Sequence, residues 1–210
     1  MAAIRITRIR HVTRTSAFVL VLAACAVQAL PITYEIDPEH THPAFEADHF
    51  GMSSWRGMFR TTHGTVVLDT EHGTGAVDVT VDVTSVEFGH DKLNAMAVSS
   101  TMPPILEATK FPEAHYVGTL RGFFRGAPRR VDGTLTLHGV TKPLSLKITK
   151  FRCMPEQPIV KREVCGADAV GHINREDFGI TTGKRYGFDM NVDLRVQVEA
   201  MRVTETSSTR

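Results

Sequence analysis

The sequence has little net charge, few cysteines and no long hydrophobic run. Lysine and arginine number 24 against 23 aspartate and glutamate, which gives a formal charge of +1. This balance provides no basic patch of the kind that nucleic-acid binding requires, so we expect no nucleic-acid partner. The three cysteines contain no Cys-x-x-Cys pair, which argues against a cysteine-ligated zinc centre. Ser53-Ser54 and Ser99-Ser100 lack a Gly-x-Ser-x-Gly setting, which argues against a serine hydrolase.

The apolar segment at residues 17–25 is too short to span a bilayer. A basic start with four arginines precedes it, and Val27-Gln28-Ala29 supplies small residues for cleavage. We therefore expect residues 1–29 to be a secretory signal peptide and residues 30–210 to form a periplasmic domain. Losing the four arginines would change the formal charge from +1 to −3. The alternative is a bacterial lipoprotein, because Leu22-Ala23-Ala24-Cys25 resembles a lipoprotein box in which Cys25 would be acylated.

Two cysteines remain after such a cleavage, Cys153 and Cys165. Export would place them in an oxidising compartment, where a pair of cysteines indicates a disulfide. The loop between them is short, so the bond should stabilise the fold by about 3 kcal/mol on the chain-entropy estimate.

Apolar and polar residues alternate with a period of two over most of the chain, which is typical of half-buried β-strands. Residues 45–49 and 77–83 show this pattern, and the longest clean run covers residues 188–198. An interior glycine, Gly64, predicts a β-bulge that shifts the register. These segments predict a protein built mainly of strands.

Turn residues separate the strands at positions 71–75, 126–128 and 139–143. Residues 91–107 are the exception, and they predict one short helix followed by irregular chain. Antiparallel strands at regular spacing indicate a sandwich or a barrel. Strands this long with one apolar face favour a barrel whose interior could hold a ligand. The predicted fold class is therefore all-β, with a single barrel domain over residues 30–210.

Several sequence segments occur in the order and spacing of one known family. They are Tyr34-Glu35-Ile36-Asp37 with His40-Thr41, Phe45-x-x-x-His49-x-Gly51, Gly57-x-Phe59, Lys110-Phe111-Pro112, Leu137-His138-Gly139-Val140-Thr141-Lys142-Pro143 and Ile173-Asn174-Arg175-Glu176-Asp177-Phe178-Gly179. Through them the chain resembles the YceI-like family of exported lipid-binding barrels over residues 34–203. The resemblance implies an extended antiparallel β-barrel, similar in plan to lipocalins, with a short α-helix near its mouth.

The resemblance also implies that the barrel binds a long isoprenoid lipid of quinone or polyprenyl type, for storage or transport and without catalysis. It implies no covalent cofactor, and a small apolar lipid as partner. Burial of such a tail gains about 0.8 kcal/mol per CH₂, so an apolar tube is sufficient to bind it. The candidate ligand-binding residues are Phe45, Ala47, His49, Trp55, Phe59, Val79, Val81, Phe88, Met96, Phe111, Leu137, Val192 and Leu194. An ordinary packed core would use the same residue types, and only a cavity separates the two interpretations.

The histidines support an alternative function, that of a periplasmic metal- or redox-associated accessory protein. His40 and His42 would point to one side of a strand, with His49 seven residues further on, and imidazole suits zinc or copper. Arg175 and Asp177 would share one face of a strand, where they either pin a loop or contact a lipid head group. A membrane-proximal partner and the oligomeric state, a homodimer included, are left open by the sequence.

Overall fold

The structure is a computed structural model that describes residues 30–99 and 105–204. The predicted signal peptide and the lipoprotein box with Cys25 lie outside these residues. Within the described part of the chain there are eleven strands and one α-helix: β1 (Ile32–Ile36), β2 (Ala44–His49), β3 (Ser53–Phe59), β4 (Thr62–Asp69), β5 (Thr74–Asp82), β6 (Val86–Glu87), α1 (Asp91–Val98), β7 (Glu113–Arg121), β8 (Arg130–Leu137), β9 (Val140–Met154), β10 (Val164–Asn174) and β11 (Asn191–Arg202). None of the helical segments described is long and apolar enough to cross a membrane.

Eight of the strands close into an antiparallel barrel in the order β1, β4, β5, β7, β8, β9, β10, β11. Pairing of β1 with β11 completes the circle, with Tyr34 opposite Arg202 and Ile36 opposite Ala200. The short strands β2, β3 and β6 continue the sheet from the first half of β11. The predicted all-β antiparallel barrel with one short α-helix is thereby confirmed.

The strand register defines two ends of this barrel. β11 begins beside β2, and its first residue, Asn191, lies opposite Asn174 of β10. We call this the helix end, because β6 pairs with β3 there and α1 packs against β6. Near the other end of β11, Ala200 lies opposite Cys165, which in turn lies opposite Cys153. We call this the disulfide end.

Alternation along the barrel strands turns apolar side chains inward, as the period of two predicts. In β5, Val77, Val79 and Val81 face the interior, while the outward Asp78 carboxylate forms a hydrogen bond with the His115 ring. The larger cluster of buried side chains comprises Tyr34, Ile36, Leu68, Leu120, Val131, Leu144, Leu146, Cys165, Ala169 and Ala200. A smaller cluster, made of Val83, Ala108 and Ala114, lies at the helix end.

The last strand begins later than the alternating pattern indicates. The pattern predicts a strand from residue 188, but β11 starts at Asn191. Gly187 has a φ of 86°, and the Asp189 carboxylate accepts hydrogen bonds from the main-chain N–H and the side-chain amide of Asn191, at 3.0 and 2.9 Å. These local bonds compete with the ladder and delay the strand.

The turn predicted at residues 139–143 is shorter than expected. His138 and Gly139 alone form it, with φ values of 53° and 74°, and β9 starts at Val140. Two positive φ values in a two-residue hairpin loop match the twist of the flanking strands. The imidazole of His138 supports this strained position by bonding Glu107 Oε2 at 2.8 Å and the Phe178 carbonyl oxygen at 3.0 Å.

No bulge occurs at Gly64, contrary to the sequence prediction. β4 and β5 pair without a register shift from Thr62 opposite Val81 to Asp69 opposite Thr74. Gly64 has a φ of 145°, and a Cβ atom at this position would lie 2.1 Å from the carbonyl oxygen of Asp78. The glycine therefore permits close approach of two backbones rather than an extra residue.

The helix α1 begins at Asp91, as the sequence predicts, and the described residues that follow it, 99 and 105–107, lie outside any helix or strand. The Nδ1 atom of His90 accepts a hydrogen bond from the N–H of Leu93 and caps the helix. Asn94 links the helix to β6, because its side chain accepts from the Phe88 N–H and donates to Glu87, both at 2.8 Å. An eight-residue helix is marginal alone, so these contacts hold it against the barrel.

Candidate ligand-binding cavity

The barrel encloses a cavity of about 1160 Å³. This volume is slightly above the ~300–1,000 Å³ that small-molecule sites usually occupy. Aliphatic and aromatic side chains from every barrel strand form its wall, and α1 adds Leu93 and Met96. Partly exposed residues at the helix end, Phe50 and Tyr186, also line it, at 49% and 59% exposure. The cavity therefore reaches the surface at the helix end.

The structure brings most of the candidate ligand-binding residues together. Twelve of the thirteen line the cavity: Phe45, Ala47, His49, Trp55, Phe59, Val79, Val81, Phe88, Met96, Leu137, Val192 and Leu194. Ala47 lies opposite both Val192 and Trp55, so strands β11, β2 and β3 contribute neighbouring parts of one wall. That these residues share one wall follows from strand parity, which is the alternation of inward and outward side chains along each strand. Their contact with a ligand stays a prediction.

Phe111 is the exception, and its inclusion among the cavity residues is corrected by the structure. It lies in irregular chain before β7, outside the cavity lining, and its ring packs 4.2 Å from the ring of His138. It also contacts the position where a Gly139 Cβ would be, at 3.0 Å. Phe111 therefore supports the β8–β9 turn from outside, because a residue beyond a strand has no parity to direct it inward.

We expect Phe111→Ala to cost stability without reducing lipid content. The half-buried ring contributes about 1 kcal/mol, roughly half of a fully buried phenylalanine. Denaturant unfolding and extracted lipid, measured on one preparation, check this. Phe59→Ala is the matched control, because it removes the same ring from the cavity wall and should alter the retained lipid. A large lipid loss in the Phe111 variant would contradict the placement.

An aromatic cluster extends along the cavity wall at the helix end. The rings of Phe45 and Phe59 lie 5.5 Å apart, Phe45 and Phe88 5.5 Å, and His49 and Trp55 5.2 Å. Phe45 and Phe88 approach closely because Gly57 has no side chain: a Cβ atom there would lie 2.5 Å from Phe45 Cζ. These rings present large apolar area with few rotatable bonds, which suits contact with a chain-like ligand.

Many cavity residues were not singled out from the sequence. Ten of these cavity residues lie on the inward faces of β1, β4, β7 and β9: Tyr34, Ile36, Val66, Leu68, Tyr116, Leu120, Leu144, Leu146, Ile148 and Phe151. Strand parity was available to find them, once the turns bounding each strand were known. Phe50 and Phe188 are harder, because both lie outside the strands and reach the cavity through loop geometry.

The polar group of Tyr116 is satisfied inside this apolar wall. Its hydroxyl donates to the carbonyl oxygens of Val131, at 3.3 Å, and Leu144, at 3.0 Å. Burial raises the pKa of Tyr116 from its ordinary value of 10.0 to about 12. Burial, with the Glu163 carboxylate nearby, likewise raises the pKa of Tyr34 to about 12. Both phenols stay neutral at physiological pH, so neither adds a charge to the wall.

We expect the free energy of unfolding to fall as pH rises from 10.0 to about 12, the ordinary and the raised pKa of Tyr116. The unfolded chain releases the phenolic proton near the lower value and the folded chain near the upper one, so high pH favours unfolding. Urea unfolding across this range, with tyrosinate absorbance, measures it. Tyr116→Phe should reduce the pH dependence. Ionisation of all tyrosines at the ordinary pKa in folded protein would contradict the prediction.

Arg175 lies at the helix end and lines the cavity. The predicted strand face shared with Asp177 is wrong, because residues 175–178 form a 3₁₀ turn and Asp177 is exposed. Asn174 caps the turn by accepting the N–H of Glu176 at 3.0 Å. Burial lowers the pKa of the Arg175 guanidinium, and the charges of Asp189 and Asp48 partly offset this. A desolvated cation thus borders a mainly apolar space, whose lining also includes the charged residues Asp48, Lys184 and Arg185.

The predicted disulfide between Cys153 and Cys165 is present and joins β9 to β10. Cys165 is buried and lines the cavity, so the bond is part of the wall at the disulfide end. In the part of the chain that the structure describes, one group of three potential metal ligands gathers, Cys153, Glu163 and Cys165. Because its two sulfurs bond each other, this group offers no thiolate to a metal.

The histidines of the alternative function do not form a site with one another. His40 lies on a 3₁₀ turn, not a strand, and bonds the Asp37 carboxylate at 2.8 Å, which raises the pKa of this exposed imidazole. His42 follows the turn in irregular chain, with its Nδ1 atom buried and unpartnered among the described residues. His49 packs against aromatic rings. Among the described residues, these histidines do not gather into a group of three potential metal ligands.

A closed antiparallel barrel around a deep apolar cavity is the class of structure in which lipocalins hold small ligands. A family model described as the YceI-like domain matches residues 34–200. The chain is also 31% identical to Protein YceI of Shigella flexneri over 180 residues, covering 84% of this chain and 91% of that protein. The chain therefore belongs to the YceI-like family.

Solved structures show the same fold at lower identity. BcnA of Burkholderia cenocepacia matches with a TM-score of 0.61 and 18% identity, covering 79% of this chain and 99% of that one. A polyisoprenoid binding domain from Saccharophagus degradans matches with a TM-score of 0.58 and 14% identity, covering 82% and 99%. These similarities support the barrel architecture over nearly the whole of each relative.

Proposed function

We propose that this protein binds a long apolar lipid of isoprenoid type, such as a quinone or a polyprenyl lipid, inside its barrel. The observation that carries the proposal is the cavity of about 1160 Å³ with its apolar wall. A packed core of the same residues would leave no such volume, since protein interiors are normally close-packed. Storage or transport of the lipid is the role that suits a closed container.

The energetics favour a long tail over a compact ligand. Each buried methylene gains about 0.8 kcal/mol, so affinity accumulates along an extended apolar chain. Inside the wall, the Tyr116 hydroxyl already donates to two main-chain carbonyls. A hydrocarbon tail beside it therefore leaves no hydrogen-bond donor of Tyr116 unpaired. The name of the Saccharophagus degradans domain, which binds polyisoprenoid, supports the same ligand class for this chain. We assign no reaction to the cavity.

Mass spectrometry of a solvent extract of the purified protein tests the proposal. We expect a prenyl lipid in a near-stoichiometric amount, together with little bound metal. Metal without lipid would support the histidine-based alternative instead. Protein that contains no extractable lipid and takes up none from added prenyl lipids would falsify the binding function.

We further propose that the chain is exported and that its barrel works in the bacterial cell envelope, soluble in the periplasm. The Cys153–Cys165 disulfide supports this, because such bonds persist in oxidising compartments. Amino-terminal sequencing of the protein from cell fractions should give Leu30 as the first residue. A blocked terminus at Cys25 would show a lipid-anchored form, and an intact leader would contradict export.

A further inference from the structure

One of the cations that line the cavity, Arg175, has a buried donor without an acceptor. The Nε atom of Arg175 is buried and has no hydrogen-bond partner among the described residues. Within residues 30–99 and 105–204, no carboxylate oxygen forms an ion pair with its guanidinium. Buried donors in native proteins are nearly always paired, so an unpaired one requires an explanation.

The nearest charges do not provide that explanation. Asp48 and Asp189 both influence the guanidinium, yet the hydrogen bonds that they accept come from other donors. Asp48 accepts the N–H of Gly51 at 2.8 Å and the N–H of Asp189 at 3.1 Å. Asp189 accepts both the N–H and the side-chain amide of Asn191. The two carboxylates thus keep the region near neutrality without occupying the donors of Arg175.

A purely structural role for the side chain is also unsupported. The main chain holds the 3₁₀ turn: the Arg175 N–H donates to the Met190 carbonyl oxygen at 2.9 Å, and the Ile180 N–H donates to the Arg175 carbonyl oxygen at 3.0 Å. Gly179, with a φ of 76°, ends the turn. The loop is therefore pinned by backbone bonds, and Arg175 is one of the residues that line the cavity.

We infer that Arg175 binds the oxygen-bearing head group of the ligand, which is anchored at the helix end while its tail extends towards the disulfide end. A guanidinium presents planar donors that suit carbonyl, carboxylate and phosphate oxygens. The ligand class is then a long apolar chain with an acceptor head, either a quinone carbonyl or a prenyl phosphate. This inference rests on the proposed lipid-binding function and specifies the kind of head group that the cavity selects.

Trp55 provides a built-in probe of occupancy. It is the only tryptophan in the sequence, and it lines the cavity at the helix end, beside His49 and Phe88. Full-length protein freed of lipid can be titrated with three ligands that share a four-isoprene tail: the saturated hydrocarbon phytane, geranylgeranyl monophosphate and the four-isoprene ubiquinone. The change in tryptophan fluorescence reports each affinity.

The variant Arg175→Gln should lower the affinity for one or both oxygenated ligands by about tenfold or more, the loss expected when a charge-assisted hydrogen bond is removed. The affinity for phytane should stay within about twofold, because the tail contacts are unchanged. Loss of the phosphate ligand alone assigns an anionic head, and loss of the quinone alone assigns a carbonyl. Arg56→Gln, which removes an outward cation paired with Glu46, is the matched control and should leave all three affinities unchanged.

Three outcomes would overturn the inference: equal loss for all three ligands, no loss for either oxygenated ligand, or the same head-group selectivity in Arg56→Gln. If Arg175→Gln fails to fold, Arg175→Lys keeps the charge and should retain more affinity for the oxygenated ligands than Arg175→Met. Equal affinities in those two variants count against the inference. Failure of wild-type protein to bind any of the three ligands would instead sink the proposed function itself.

Discussion

Ala47→Trp should fold normally yet retain about tenfold less lipid than the wild type. Ala47 lines the cavity between Val192 and Trp55, so a larger side chain there points into the space that a tail would occupy. An indole side chain covers about 150–250 Å², enough to displace much of a chain-like ligand from this cross-section. Extracted lipid and melting temperature, measured on the same preparation, give the result.

Asp193→Trp is the matched control for this variant. It places the same indole one residue from Val192 on the exposed face of β11, so lipid content should stay near that of the wild type. An Ala47→Trp protein with full lipid content would show that the ligand lies elsewhere. A strongly destabilised variant, by about 1–3 kcal/mol or more, would instead indicate overpacking of a solid interior.

Loss of the Cys153–Cys165 bond should lower the free energy of unfolding by about 3 kcal/mol. The two residues are 12 apart in sequence, and that figure follows from the entropy of closing a loop of this length in the unfolded chain. For a domain of this size the melting temperature should fall by roughly 6–12 °C. The double substitution Cys153→Ala with Cys165→Ala avoids a hydroxyl at the buried position.

Reduction of the wild-type protein is the matched control, because it breaks the same bond without changing a side chain. Reduced wild type and the double variant should melt at similar temperatures, both below the oxidised protein. The lipid content should fall by a smaller fraction than the free energy of unfolding. Cys165 lines the cavity, but the bond lies at the end of the barrel away from Arg175. Equal melting of oxidised and reduced protein would contradict the predicted contribution.

The barrel and most of its wall could be predicted because strand parity is a local signal. Val79 and Val81 face inward since every second residue of β5 does, and the same rule places Val192 and Leu194 of β11. The rule requires knowing only that one face is buried. It says nothing about whether the enclosed volume is filled, so the cavity itself could not be read from residue types.

The errors fall where the chain leaves the strands. Phe111 and His40 lie in irregular chain and on a 3₁₀ turn, where side-chain direction depends on distant contacts rather than on period. Arg175 directly follows the last residue of β10. Asn174 caps a 3₁₀ turn there and Gly179 ends it, so the alternation of inward and outward side chains stops before Arg175. An asparagine five residues before a glycine was the available signal of that turn.

The seam between β1 and β11 has a consequence for how the chain reaches this structure. It joins the first and last strands of the described chain, Tyr34 to Arg202, while the barrel pairs from β7 to β11 are neighbours in sequence. Contacts so distant along the chain form slowly, because the chain loses the entropy of closing the loop before the strand pairing contributes any stabilisation. Strands up to β10 can therefore assemble as an open, curved sheet with its apolar face exposed. The enclosed space comes into existence only when the final strand docks.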